Sequence, residues 1–119
     1  MASYTKLLQF NKETIQEIID RDKTCIFCQM NYRMEKFNPN KLDCIVHDIM
    51  HFIPRSKLGL GIPENGAFGC RFHHHMLDNS KYRNEMLPLF ENYLKSKYPN
   101  WNKEKLKYNK WSHHEQISQ

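Results

Sequence analysis

No run of apolar residues in the 119-residue sequence approaches the roughly 20 that a membrane helix needs. Met1 to Phe10 holds no apolar stretch of signal-peptide length. Both absences lead to the expectation of a cytosolic protein. Internal repeats and low-complexity segments are also missing, which excludes solenoids and linker-like chains. Acidic residues are the scarcer charge: 13 Asp and Glu face 18 Lys and Arg, a net +5, with a pI near 9.0. That balance suits a polyanionic partner. Cysteine is sparse, at four residues. In a reducing compartment four cysteines suit metal ligands or free thiols, with two disulfides as the alternative.

What is present fits a folded domain: 39% hydrophobic and 26% charged residues. The length fits one domain over residues 1–119, small enough that a metal staple would help it fold. Asn11 is placed to cap a first helix, with Phe10 and Ile15 at staple spacing and Ile15, Ile18 and Ile19 on one face. The pattern breaks at Arg21 to Lys23, so residues 1–24 form an N-terminal helical segment. Gln29 to Lys41 reads as a surface loop. Leu42 to Phe52 is a strand candidate with apolar residues at both parities, hence covered on both faces. Cys44 inside it reads as a small buried hydrophobe. Gly59, Gly61 and Pro63 mark a loop tolerant of unusual backbone angles, Gly66 to Gly69 a returning strand, and His73 to Asp78 a short helix. Lys81 to Tyr98 has helical core spacing, interrupted at Pro88, where the main helix is expected to start. Trp101 and Trp111 then pin a lysine-rich tail to the core, closing a C-terminal segment of 80–119. His113 and His114 read as solvated.

Cys25-Ile-Phe-Cys28 alone suits zinc or redox chemistry. The strand–helix–strand pattern around a redox motif is missing. Cys70-Arg-Phe-His73 supplies a second short-spaced pair, and three sulfurs with one nitrogen make a closed tetrahedral zinc set. His75 competes with His73 on spacing alone. Next to this set, His74 and Asp78 stand four residues apart and share a helical face, which suits joint hold of a divalent cation. Arg55 and Lys57 are candidates for phosphate contacts.

Read continuously, the stretch runs His51-Phe-Ile-Pro54-Arg55-Ser56-Lys57, Gly59, Gly61, Glu64-Asn65, then Cys70 through His73-His74-His75 to Asp78. It resembles the HNH endonuclease family, and closely its small phage-type members, from about Asp22 to Asp78. The resemblance implies an α+β fold: a ββα-metal (HNH, His-Me finger) core over 25–79 with a structural zinc knot and flanking helices. It implies a metal-dependent DNA endonuclease with His51 as general base, a residue type whose pKa lies near neutrality. It further implies Asn65 as an orienting residue, and His74 and Asp78 as ligands of a catalytic Mg²⁺, Mn²⁺ or Ni²⁺. The products implied are a 5′-phosphate and a 3′-hydroxyl. A phage or prophage setting in a bacterial host cell, beside the terminase, belongs to the same implication. His73 stands where many relatives have cysteine. Met50 stands where many have a metal-binding Asp or His, and it is a poor ligand for a hard cation; Asp48 and His47 are the nearest substitutes. A zinc-knot DNA-binding module with a decayed nuclease site is the alternative that Met50 favours.

Overall fold

The computed structural model describes residues 4–109 and is mixed α+β. Its centre is a two-stranded antiparallel sheet, β1 (His47–His51) against β2 (Gly66–Cys70). The register pairs His47 with Cys70 and His51 with Gly66. Two helical turns, α1 (Tyr4–Leu7) and α3 (Ile26–Gln29), and helix α2 (Lys12–Asp22) precede the sheet; a further turn, α4 (Leu42–Ile45), leads into β1. Helices α5 (Arg71–Asn79) and α6 (Arg83–Lys97) follow β2.

Helix α2 begins as its sequence dictates: the Asn11 side chain accepts the Thr14 amide at 2.8 Å. It runs through Asp22 and closes at Lys23, whose φ is 68°. The expected break at Arg21 is therefore absent, because Arg21 and Asp22 are held by the sheet. Asp22 is 3% exposed; its carboxylate accepts the Phe68 amide of β2 at 2.8 Å, the Arg21 guanidinium at 2.9 Å and the Tyr93 hydroxyl of α6. Arg21 in turn donates to the carbonyls of Pro63 and Gly66 at 2.9 and 2.7 Å. A buried ion pair that is fully hydrogen-bonded thus ties α2, β2 and α6 together, and removing one partner would leave an uncompensated charge.

The core proper is apolar. Met86, Phe90 and Leu94 of α6 are fully buried, and Phe90 meets the rings of Phe27 and Phe52 edge-on at 6.1 and 5.4 Å. Pro88 lies inside α6 and does not start it. Its missing N–H forgoes a bond to the Asn84 carbonyl on an exposed turn, where water can serve.

Two further expectations are corrected. Leu42 to Phe52 is not one covered strand: Leu42–Ile45 forms a helical turn with Leu42 and Ile45 68% and 55% exposed, and the strand occupies His47–His51 alone. Cys44 is buried on that turn and accepts the Asn38 amide at 3.3 Å. The glycines of the loop after β1 do not supply unusual angles, since the positive φ there belongs to Leu58. Gly59 answers a close approach instead: a Cβ on it would lie 1.7 Å from the Ile53 carbonyl oxygen.

The tail wraps back onto this loop. Trp101 donates its indole N–H to the Glu64 carbonyl at 2.8 Å. The Leu60 amide donates to the Leu106 carbonyl and the Tyr108 amide to the Leu58 carbonyl, both at 2.7 Å. Trp111, His113 and His114 lie outside the described residues.

Candidate metal centre and the adjoining histidine cluster

Two helix starts face each other across the end of the sheet. Cys25 caps α3, accepting the Cys28 amide at 3.4 Å, and Cys70 caps α5, accepting the His73 amide at 3.5 Å. Capping turns the two thiols toward one point, where Cys28 and His73 join them. Nδ1 of His73 lies 3.5, 3.6 and 3.3 Å from the sulfurs of Cys25, Cys28 and Cys70. The sulfurs of Cys28 and Cys70 are 3.8 Å apart. An ion bonded about 2.3 Å from each sulfur sits in a tetrahedron with edges of about 3.8 Å, so the cage has the size of a zinc site.

The tautomer of His73 fits as well. Its Nε2 lies 2.8 Å from the Tyr32 carbonyl, which can only accept, so Nε2 carries the proton and Nδ1 turns its lone pair to the sulfurs. Rings of Phe27, Phe37 and Phe72 wall the imidazole, and His73 is fully buried. Charge points the same way. A hydrogen bond from Cys70 lowers the Cys25 thiol to about 3. Burial, then the Cys25 charge, raises Cys28 to about 12, and the hydrogen bond to Cys25 raises Cys70. Three crowded thiols cannot all ionise without a cation among them. Cys25, Cys28, Cys70 and His73 can therefore hold a metal ion such as zinc. His75 is exposed on α5 and outside the cage, which separates the two histidines that spacing left open.

One residue further along α5, the side chains turn outward. Nε2 of His74 lies 3.0 Å from an Asp78 carboxylate oxygen, as the i, i+4 spacing requires. Nδ1 of the same ring lies 3.0 Å from Asp48 of β1. Arg71 takes the other Asp48 oxygen at 3.0 Å, and its hydrogen bond, first among the causes, holds the Asp48 carboxyl below its ordinary value. The side chains of His74 and Asp78 are 25% and 48% exposed, so this cluster is open to solvent.

His51 ends β1 opposite Gly66, and its ring meets Phe10 at 4.2 Å between centroids. A Cβ at position 66 would stand 2.6 Å from the Phe10 ring, so glycine there lets Phe10 lie against the histidine. Nε2 of His51 lies 3.0 Å from the Leu8 carbonyl. That carbonyl fixes the proton on Nε2 and leaves Nδ1 as the basic atom. Burial, then the Arg55 charge, lowers the imidazole pKa below its ordinary value, while the Leu8 carbonyl and Asp78 pull it up.

Asn65 is fully buried in the loop between the strands. Its oxygen accepts the Ile53 amide at 2.8 Å; its amide donates to the carbonyls of Ile53 and Leu60 at 3.1 and 2.8 Å. These bonds fasten the chain just beyond His51. Arg55 and Lys57 are exposed on a 3₁₀ turn of the same loop. A cleft of about 250 Å³ beside it is lined by Phe52, Lys57, Arg83, Leu87, Lys103 and Lys107 among others, with Glu104 as its one carboxylate. Asp78 and Glu91 pair with Arg83 and Lys103 from outside the lining, whereas no carboxylate among the described residues pairs with Lys57 or Lys107. Met50 is fully buried and packs against Gly69, so its sulfur does not reach the cluster.

Sequence reasoning did not find the Arg21–Asp22–Tyr93 network, the Tyr32 carbonyl, or the contribution of Arg83, Lys103 and Lys107 to a cleft. It named Asp48 only as a substitute. Strand alternation carried that signal, since Asp48 and Met50 share one face. Comparison with protein-family models, with curated proteins and with solved structures found no match.

Proposed function

We propose that the protein is a metal-dependent DNA endonuclease of the HNH type, with β1, β2 and α5 as a ββα-metal core and a structural zinc in the Cys25, Cys28, Cys70, His73 cage. One juxtaposition carries the reading. Half-buried His51, its Nε2 on the Leu8 carbonyl, ends the same strand whose Asp48 meets His74 at 3.0 Å, and His74 pairs with Asp78 on an open helix face. The 3.0 Å between Nε2 of His74 and Asp78 matches the edge of an octahedron of roughly 2.1 Å radius, so the pair fits a small divalent cation. Imidazole with carboxylate suits transition ions such as Mn²⁺ or Ni²⁺. A divalent cation held there supplies Lewis-acid stabilisation of the phosphate and the leaving oxygen.

The residues divide the remaining work. Nδ1 of His51 accepts a proton from the water that attacks phosphorus, and burial keeps that nitrogen neutral to lower pH than a free histidine. Asn65 holds the loop beyond His51 in place through three hydrogen bonds. Arg55, Lys57 and the neighbouring basic cleft take phosphates on either side of the scissile one. The P–O3′ bond breaks, leaving a 5′-phosphate and a 3′-hydroxyl.

The burial of Met50 favours a second reading, a zinc-knot DNA-binding module, because no ligand stands immediately before His51. Conversion of supercoiled plasmid with added Mg²⁺, Mn²⁺ or Ni²⁺, wild type against His51→Ala, separates the two. Metal-dependent nicking or linearisation that the variant loses supports the nuclease. A gel shift without cleavage under any metal moves the assignment to the binding module.

A further inference from the structure

Asp48 occupies the face of β1 that Met50 shares, and it reaches His74 where Met50 cannot. Its Oδ2 lies 3.0 Å from Nδ1 of His74, while Asp78 lies 3.0 Å from Nε2 on the other side of the ring. Two roles are open to such a carboxylate: a ligand of the same cation, or an anchor for the imidazole that holds it. Geometry decides between them. Asp48 and Asp78 meet opposite nitrogens of one ring, and the described ligand atoms of Asp48, His74 and Asp78 do not form a common cluster within 4.8 Å. Arg71 already neutralises Asp48 at 3.0 Å, which disfavours a cation beside it.

We infer that Asp48 is a positioning residue: it accepts the Nδ1–H of His74, fixing tautomer and ring so that Nε2 points with Asp78 at a divalent cation, and Arg71 holds Asp48 in that pose. Met50 then leaves no vacancy to explain, because the strand supplies its carboxylate two residues earlier, in the outer shell of the cation. Outer-shell acceptors of this kind are worth roughly 10- to 100-fold in metal affinity. The inference rests on the divalent-cation reading of His74 and Asp78, and the test keeps the two apart.

The zinc-loaded protein is titrated with Mn²⁺ by calorimetry, and the histidine tautomers are read from long-range ¹⁵N–¹H NMR without added Mn²⁺. Asp48→Ala is expected to weaken Mn²⁺ binding by roughly 10- to 100-fold and to lose the Nδ1–H signature of His74, with the melting temperature near that of wild type. Asp48→Asn keeps an acceptor and is expected to restore both within a few-fold. Arg71→Gln, which frees Asp48 but leaves its contact with His74, is expected to weaken Mn²⁺ binding less than Asp48→Ala does. Wild-type affinity and an unchanged His74 tautomer in Asp48→Ala overturn the inference. So does an Asp48→Asn protein as weak as Asp48→Ala, which would make Asp48 a ligand. If His74→Ala binds Mn²⁺ as wild type does, the cation reading itself fails, and the NMR signature still decides whether Asp48 orients the ring.

Discussion

His73 and His74 are consecutive residues of α5, yet one is fully buried and the other a quarter exposed at its side chain. The first has both nitrogens committed, one to a backbone carbonyl and one to three sulfurs. The second has both nitrogens on carboxylates at the protein surface. A helix turns 100° per residue, so adjacent side chains must serve different surroundings. The inner set offers four candidate ligands, enough to close a tetrahedral site; the outer pair has protein on one side and solvent on the other. Closed sets suit folding and open ones suit chemistry, so the comparison predicts that the two sites fail differently.

The largest effect is expected at the closed site. Structural zinc contributes roughly 10–16 kcal/mol in small domains, comparable with the roughly 5–15 kcal/mol total stability of a domain. Cys70→Ser or His73→Ala is expected to abolish cooperative unfolding, read by circular dichroism, with less than one zinc per chain by atomic absorption. His74→Ala, one residue on, breaks only part-exposed contacts to Asp48 and Asp78 and is expected to cost about 1 kcal/mol or less. Equal collapse of both variants would erase the distinction between the sites. A Cys70→Ser protein that melts as wild type does would remove the metal from the fold.

The next effect concerns His51. Loss of a general base costs roughly 10²- to 10⁴-fold in rate, so His51→Ala is expected to cleave plasmid that much more slowly while melting near wild type. The base works when neutral, so kcat/KM should rise with pH and level off. Burial lowers the His51 pKa, which places the midpoint of that rise below the free-histidine value of about 6.5. Phe10→Ala exposes the ring that Phe10 covers at 4.2 Å and should move the midpoint upward. The same shift bears on stability. The unfolded chain binds the His51 proton more readily, so this contribution is present above about pH 6.5 and lost as pH falls through the lower folded value. A midpoint that ignores Phe10→Ala would separate His51 from the titration.

The inner site was legible in the sequence because four ligands in two short pairs constrain one another. The β2 and α5 assignments also held near their observed bounds, since Gly66 and Cys70 punctuate them. What escaped notice depends on tertiary placement. Asp22 looks like another outward acid of α2 until β2 brings the Phe68 amide to it. Leu42 and Ile45 read as strand hydrophobes, but Val46 closes a helical turn by donating to the Leu42 carbonyl. The choice between His73 and His75 needed the direction of α5, which residue spacing does not contain.

The smallest effect tests the outer rim. Lys57 is exposed and lines the cleft beside the His51 loop, with no carboxylate partner among the described residues. Lys12 is equally exposed but sits at the start of α2, outside that cleft. If the cleft follows a DNA backbone, Lys57→Gln removes one phosphate contact. The slope of log binding constant against log salt should then shallow by about 0.9. Lys12→Gln should leave the slope unchanged, because Lys12 does not line the cleft. Fluorescence anisotropy with a duplex oligonucleotide, measured on the His51→Ala background to prevent cleavage, reads both slopes. Equal small losses from the two substitutions would mean that the protein attracts DNA by net charge alone. A loss confined to Lys57 would place the strand against the same loop that Asn65 fastens, next to the open histidine and away from the closed one.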